Sequence, residues 1–114
     1  MKALFIVLNK TEKLNDLLKK FSDNGIYGGT IMESQGMAST LIGSGDESSI
    51  YMKLSGFLNQ GRPFNKTIMM VLEDGQVAKA RSCVYDILGD LNKANTGIFF
   101  TVPLDSWAGI RTNE

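Results

Sequence analysis

An α+β fold, with helices packed on one face of an antiparallel sheet, is predicted by three features of the 114-residue sequence. Short apolar runs of strand length alternate with two stripes of apolar residues at helical spacing. Glycines or a proline stand where those elements should end. One connection is far longer than the rest.

The first apolar run, Lys2 to Leu8, is too short for a helix and reads as a buried strand. Leu14, Leu17, Leu18 and Phe21 then recur at intervals of three and four, which predicts an amphipathic helix. Asn9 with Glu12 three positions on is its start signal, and Gly25 after Asn24 its stop. A second strand is expected between the glycines of "GGTIMESQG", Gly28 to Gly36, and a third in "KTIMMVL", Lys66 to Leu72. Asp74 and Gly75 open a second helix whose stripe is Val77, Ala80, Val84, Ile87, Leu88 and Leu91. The fourth strand, Gly97 to Val102, stops at Pro103. The order β-α-β-β-α-β is the split βαβ, ferredoxin-like sandwich, expected as one domain over residues 1–114.

Alternation in the strands carries a further expectation. In "LFIVL" both alternating sets are apolar, and Met69 and Val71 point opposite to Ile68 and Met70. With helices on one face only, the other face is apolar too, so a homo-oligomer packed sheet to sheet is expected.

Composition excludes several chemistries. The 12 basic and 12 acidic side chains cancel, so nothing favours nucleic acid or an anionic membrane. The apolar runs are far shorter than the ~20 residues that span a bilayer, and no signal-type segment opens the chain. With a lone Cys83, a cytoplasmic location is expected. The absence of histidine removes Cys/His zinc sites and histidine-assisted nucleophiles, and no glycine-rich nucleotide-binding motif follows a strand. Glu33 and Glu73 have no second catalytic group placed beside them, so no enzyme, catalytic residue or catalytic cofactor is expected.

The connection from Gly36 to Asn65 is the exceptional segment, since a hairpin loop ordinarily takes roughly 2–5 residues. Its first half, "GMASTLIGSGDESS", is small and polar; its second carries Ile50, Tyr51, Leu54, Phe57 and Leu58, an apolar anchor for a partner protein.

Four segments, in order and spacing, resemble the PII nitrogen-regulatory signalling proteins. They are "GIYGGTIMESQG", the long connection that corresponds to that family's T-loop (about residues 37–65), "TIMMVLEDGQV" and "IFFTVPLD…IRTNE". The resemblance runs almost end to end. It implies a non-enzymatic homotrimer with sheets facing inward and an adenine nucleotide, ADP, ATP or a related adenosine ligand, held as effector between subunits. The T-loop would then regulate a membrane transporter or a metabolic enzyme.

Carried over by position, Gly28, Gly29 and Thr30 would lie near the base and ribose, and the Val71 backbone would read the adenine edge. Gly36 would admit the ligand at the loop root. Asn95, Thr96 and Gly97, where the family has Gly-Asp-Gly, would present N–H groups to phosphate, and Arg111 would bind phosphate in an adjacent subunit's cleft. The sequence also departs from the family. Ser39, Ile98 and Gly109 stand where phosphate-gripping basic residues are usual, leaving Arg111, with Lys93 as a compensating charge. Each charge-assisted hydrogen bond lost costs about 1.5–3 kcal/mol, which favours ADP, AMP or a cyclic dinucleotide over a tightly held MgATP. Thr40 and Asn65 replace the family's loop-root glutamine and lysine, so 2-oxoglutarate sensing is not expected. Tyr51 is not in the context of the family's modified tyrosine. A PII-like trimer that binds a metal, with Asp46 and Glu47 as the nearest carboxylates, or another small anion is the alternative.

Overall fold

A computed structural model describes residues 1–42 and 64–111. Its elements are β1 (Lys2–Leu8), a 3-10 turn (Thr11–Lys13), α1 (Leu14–Asp23), β2 (Thr30–Gln35), α2 (Met37–Ile42), β3 (Phe64–Leu72), a second 3-10 turn (Asp74–Gln76), α3 (Val77–Leu88) and β4 (Gly97–Pro103). The strands form one sheet of order β2-β3-β1-β4 with every pairing antiparallel. This is an α+β fold compatible with a ferredoxin-like arrangement. Strands β1 and β2 are both antiparallel to β3, hence parallel to each other, and parallel strands need a crossover, which α1 supplies. By the same logic α3 is the crossover between β3 and β4.

The pleat of the two central strands sorts the sheet into faces. Leu4, Ile6 and Leu8 of β1 and Ile68, Met70 and Leu72 of β3 are buried under the helices. Against them pack Leu17 and Phe21 of α1 and Ala80, Val84 and Leu88 of α3, as the helical stripes predict. Cys83 joins this core from the turn between Ala80 and Ile87. The opposite set stays open: Ile98 is 56% exposed, Phe100 44% and Val102 42%. On that face the rings of Phe5 and Phe100 stack with centroids 5.0 Å apart.

Helix ends follow local chemistry. At the end of α1, Ile26 N–H donates to the Phe21 carbonyl (2.9 Å) and Gly25 N–H to that of Ser22 (3.1 Å). With Gly25 at φ 79°, this is a Schellman motif, closed by apolar contact of Ile26 with Phe21 in the core. The α1 start differs from the expected Asn9 cap. The chain first makes a 3-10 turn, and neither Lys10 nor Lys13, the N-cap positions, makes a side-chain cap. At α3, Glu73 and Gln76 form a reciprocal capping box.

The long connection also differs from the expected small polar segment. It opens with α2, built on the good helix formers Met37, Ala38 and Leu41, and Ala38 is buried. The Gly36 carbonyl accepts both the N–H (3.0 Å) and the hydroxyl (2.8 Å) of Thr40. Strand β3 begins at Phe64, earlier than Lys66, because the pairing with β2 runs on to Gln35↔Phe64. The apolar anchor residues Ile50, Tyr51, Leu54, Phe57 and Leu58, and the carboxylates Asp46 and Glu47, lie outside the described residues.

A Cβ on Gly97 would sit 2.7 Å from the carbonyl oxygen of Val7, whereas one on Gly75 meets nothing within 4 Å. Gly97→Ala is therefore expected to destabilise the fold by about 1–3 kcal/mol, since strand backbone must move. Gly75→Ala is expected to be neutral or to stabilise by about 0.4–1 kcal/mol. Urea unfolding of the two variants against the parent measures both.

Candidate functional site

Antiparallel pairing brings the starts of β1 and β2 and the ends of β3 and β4 to one end of the sheet. There a cleft of about 590 Å³ opens. That volume is in the range of roughly 300–1,000 Å³ usual for small-molecule sites. Four parts of the chain build its walls: Tyr27, Gly28, Gly29 and Thr30 leading into β2; Val71 and Leu72 ending β3; Glu73 and Gln76 of the following turn; and Gly109, Ile110 and Arg111 after β4. Ile26, Met70, Leu72 and Ile110 make it largely apolar, with a few polar groups between them.

The two glycines have different physical reasons. A Cβ on Gly29 would press on the Met70 side chain at 3.3 Å, so Gly29 serves internal packing. A Cβ on Gly28 meets nothing within 4 Å; what its missing side chain leaves is open cleft. Thr30 and Arg111 are exposed, and Arg111 has no ion pair among the described residues. At the rim, the α-ammonium of Met1 (3.0 Å) and then Lys2 (3.7 Å) hold the Asp74 carboxyl below the usual carboxylate range. The Met1 ammonium is thereby already engaged, so Arg111 is the cleft-lining cation without an ion pair among the described residues.

The remaining sequence candidates lie at the other end of the sheet. Gly36 follows β2, and Lys93, Asn95, Thr96 and Gly97 lead into β4. Asn95 has φ 62°, a left-handed conformation that asparagine adopts at lower cost than most residues. Thr96 is buried and its carbonyl accepts the Asn9 N–H at 3.3 Å. Lys93 is exposed, on a turn where Asn92 N–H donates to the Asp90 carboxylate at 2.9 Å. Close by, the Ser34 hydroxyl bonds the Asn65 side chain and Thr67 (2.7 Å), and Asn65 Nδ2 donates to Asn9 at 3.4 Å. This neutral network closes the root of the long connection.

The two groups are separated by the length of β1, seven residues, which at ~3.3 Å per residue is about 20 Å. Within one chain they do not meet on a single ligand. In sequence Glu73 reads as a lone carboxylate and Gln76 carries no mark of a site residue. The Glu-x-x-Gln spacing before an apolar helix was the available signal. Glu33 is held by Lys66 directly across β2 and β3, a cross-strand ion pair. Burial raises the Cys83 thiol pKa, and its Sγ contacts the Lys20 carbonyl at 3.8 Å. Among the described residues no group of three or more His, Cys, Asp or Glu side chains is placed to hold a metal ion, and no helix is long and apolar enough to cross a membrane.

A Cβ at position 28 starts in open space, so Gly28→Leu is expected to extend into the cleft. Stability is expected to stay within about 0.5 kcal/mol of the parent. Calorimetric titration of the variant against the parent checks the expectation of an adenine nucleotide in this cleft, which requires weaker binding by the variant. No protein-family model and no curated protein matches the chain.

Proposed function

We propose that this chain is a PII-like signalling regulator, not an enzyme: an adenosine ligand occupies clefts between copies of the chain, and the segment 37–63 transmits its presence to a transporter or metabolic enzyme. One observation carries the reading. Gly28, Gly29, Thr30 and Val71, remote in sequence and assigned to base or ribose by the resemblance, line one cleft, and Arg111, which the resemblance sends to the cleft of an adjacent subunit, lines that of its own chain.

Two further features support it. The second group, Gly36, Lys93, Asn95, Thr96 and Gly97, lies about 20 Å away, so a complete site needs a neighbouring copy to bring its opposite sheet end to this cleft. A trimer with inward-facing sheets, in the βαββαβ order the family would have, supplies that neighbour and covers Phe5, Ile98, Phe100 and Val102. Asn95 at φ 62° adopts the conformation for which the family uses glycine at that place.

The cleft is weakly basic. Arg111 is the cleft cation without an ion pair among the described residues and Glu73 offsets part of its field, so a ligand with few phosphate charges, ADP or AMP, fits better than a triphosphate. Contacts at the loop root set the response: a ligand that favours one state of segment 37–63 shifts its population by the difference in affinity for the two states. The setting is cytoplasmic, where adenine nucleotides are abundant.

Thermal unfolding with ATP, ADP, AMP, a cyclic dinucleotide, 2-oxoglutarate and divalent metal in parallel tests the reading. At a hundred times its Kd, an adenosine ligand should stabilise the fold by about 2.7 kcal/mol. Arg111→Ala should weaken binding about tenfold or more without lowering the stability of the free protein. Sedimentation as a monomer, or a response to metal alone, would overturn the proposal.

A further inference from the structure

We infer that Gln76 is the base-selecting residue of the cleft, its fixed amide favouring a 6-aminopurine over a 6-oxopurine; the inference rests on the adenosine reading above and adds a residue to it. Gln76 is half-buried and lines the cleft with Gly29, Thr30 and Val71. Its side-chain oxygen is one half of a reciprocal capping pair with Glu73. Gln76 Oε1 accepts the Glu73 N–H at 3.1 Å, and the Glu73 side chain accepts the Gln76 N–H in return.

That bond decides which way the amide points. A backbone N–H is a donor, so it must face the amide oxygen, and the NH₂ group is then directed away from it. Gln76 therefore presents one remaining oxygen lone pair and an N–H donor side by side in a set orientation. Adenine carries the complementary pair, an exocyclic N6–H donor beside a ring-nitrogen acceptor, the match by which glutamine reads this base in DNA. In a 6-oxopurine the group at C6 is an acceptor. The same placement of the base then sets oxygen against oxygen, and turning the amide over to suit it breaks the bond to Glu73.

Thr30 and Arg111 lack this discrimination. The Thr30 hydroxyl rotates to donate or accept and tolerates both bases, while Arg111 responds to negative charge. Gln76 thus offers a fixed donor and a fixed acceptor together, beside a Glu73 carboxylate that only accepts.

Calorimetric titration of the full chain with ADP and with inosine diphosphate, which differ only at C6 and the adjoining ring proton, is the test. The parent should bind ADP about tenfold more tightly than inosine diphosphate. Gln76→Glu keeps an oxygen to cap the Glu73 N–H but removes the donor. It should unfold at the parent's temperature, bind ADP about tenfold more weakly and lose the preference. Equal binding of the two nucleotides by the parent, a comparison that needs no variant, overturns the inference and leaves the adenosine reading standing; so does a Gln76→Glu protein that keeps both affinity and preference. A parent that binds neither nucleotide overturns both.

Discussion

The pairing of β1 on both of its edges is the constraint from which the rest follows. With β3 on one side and β4 on the other, its backbone is satisfied along its length, and its alternate side chains are committed to opposite faces. Leu4, Ile6 and Leu8 go under the helices with no exposure at all. Ala3, Phe5 and Val7 go to the other face. A slip of one residue would exchange the two sets, so register, core and open face are a single specification.

That specification also builds the cleft. Because neighbours are antiparallel, segments far apart in sequence arrive at the same sheet end, and the turn after β3 arrives with its capping box already formed. The Schellman turn after α1 positions Tyr27 and Gly28 in the same way, by a left-handed Gly25 and the burial of Ile26. None of the cleft's walls depends on a long loop. It is a site at one end of the sheet, with Arg111 on its wall.

Much of the fold was legible because burial and periodicity agree. The helical stripes, the strands with two apolar faces, Gly25 and Pro103 all mark positions where one local rule decides the outcome. The α1 start was misread because Asn9 is drawn toward the sheet end, where its N–H bonds Thr96 and its side chain meets Asn65. Helix α2 was missed because six residues show too little period, while the Gly36 to Thr40 bonds that fix its first turn are invisible in composition. For the site, sequence gave residue types but not their division between opposite ends of the sheet, since that follows from strand direction. Gln76 reads in sequence as a capping residue alone, and only the fold places it beside the cleft.

Cys83 lies against α1, with burial holding its thiol protonated, and the sequence has no other sulfhydryl. Thiolate is the reactive form, so this group is poorly available to alkylating dyes while the fold is intact. A cysteine introduced on the surface would then be the sole labelling point, and the native chain can serve directly as the background for attaching a fluorophore or spin probe beside the cleft.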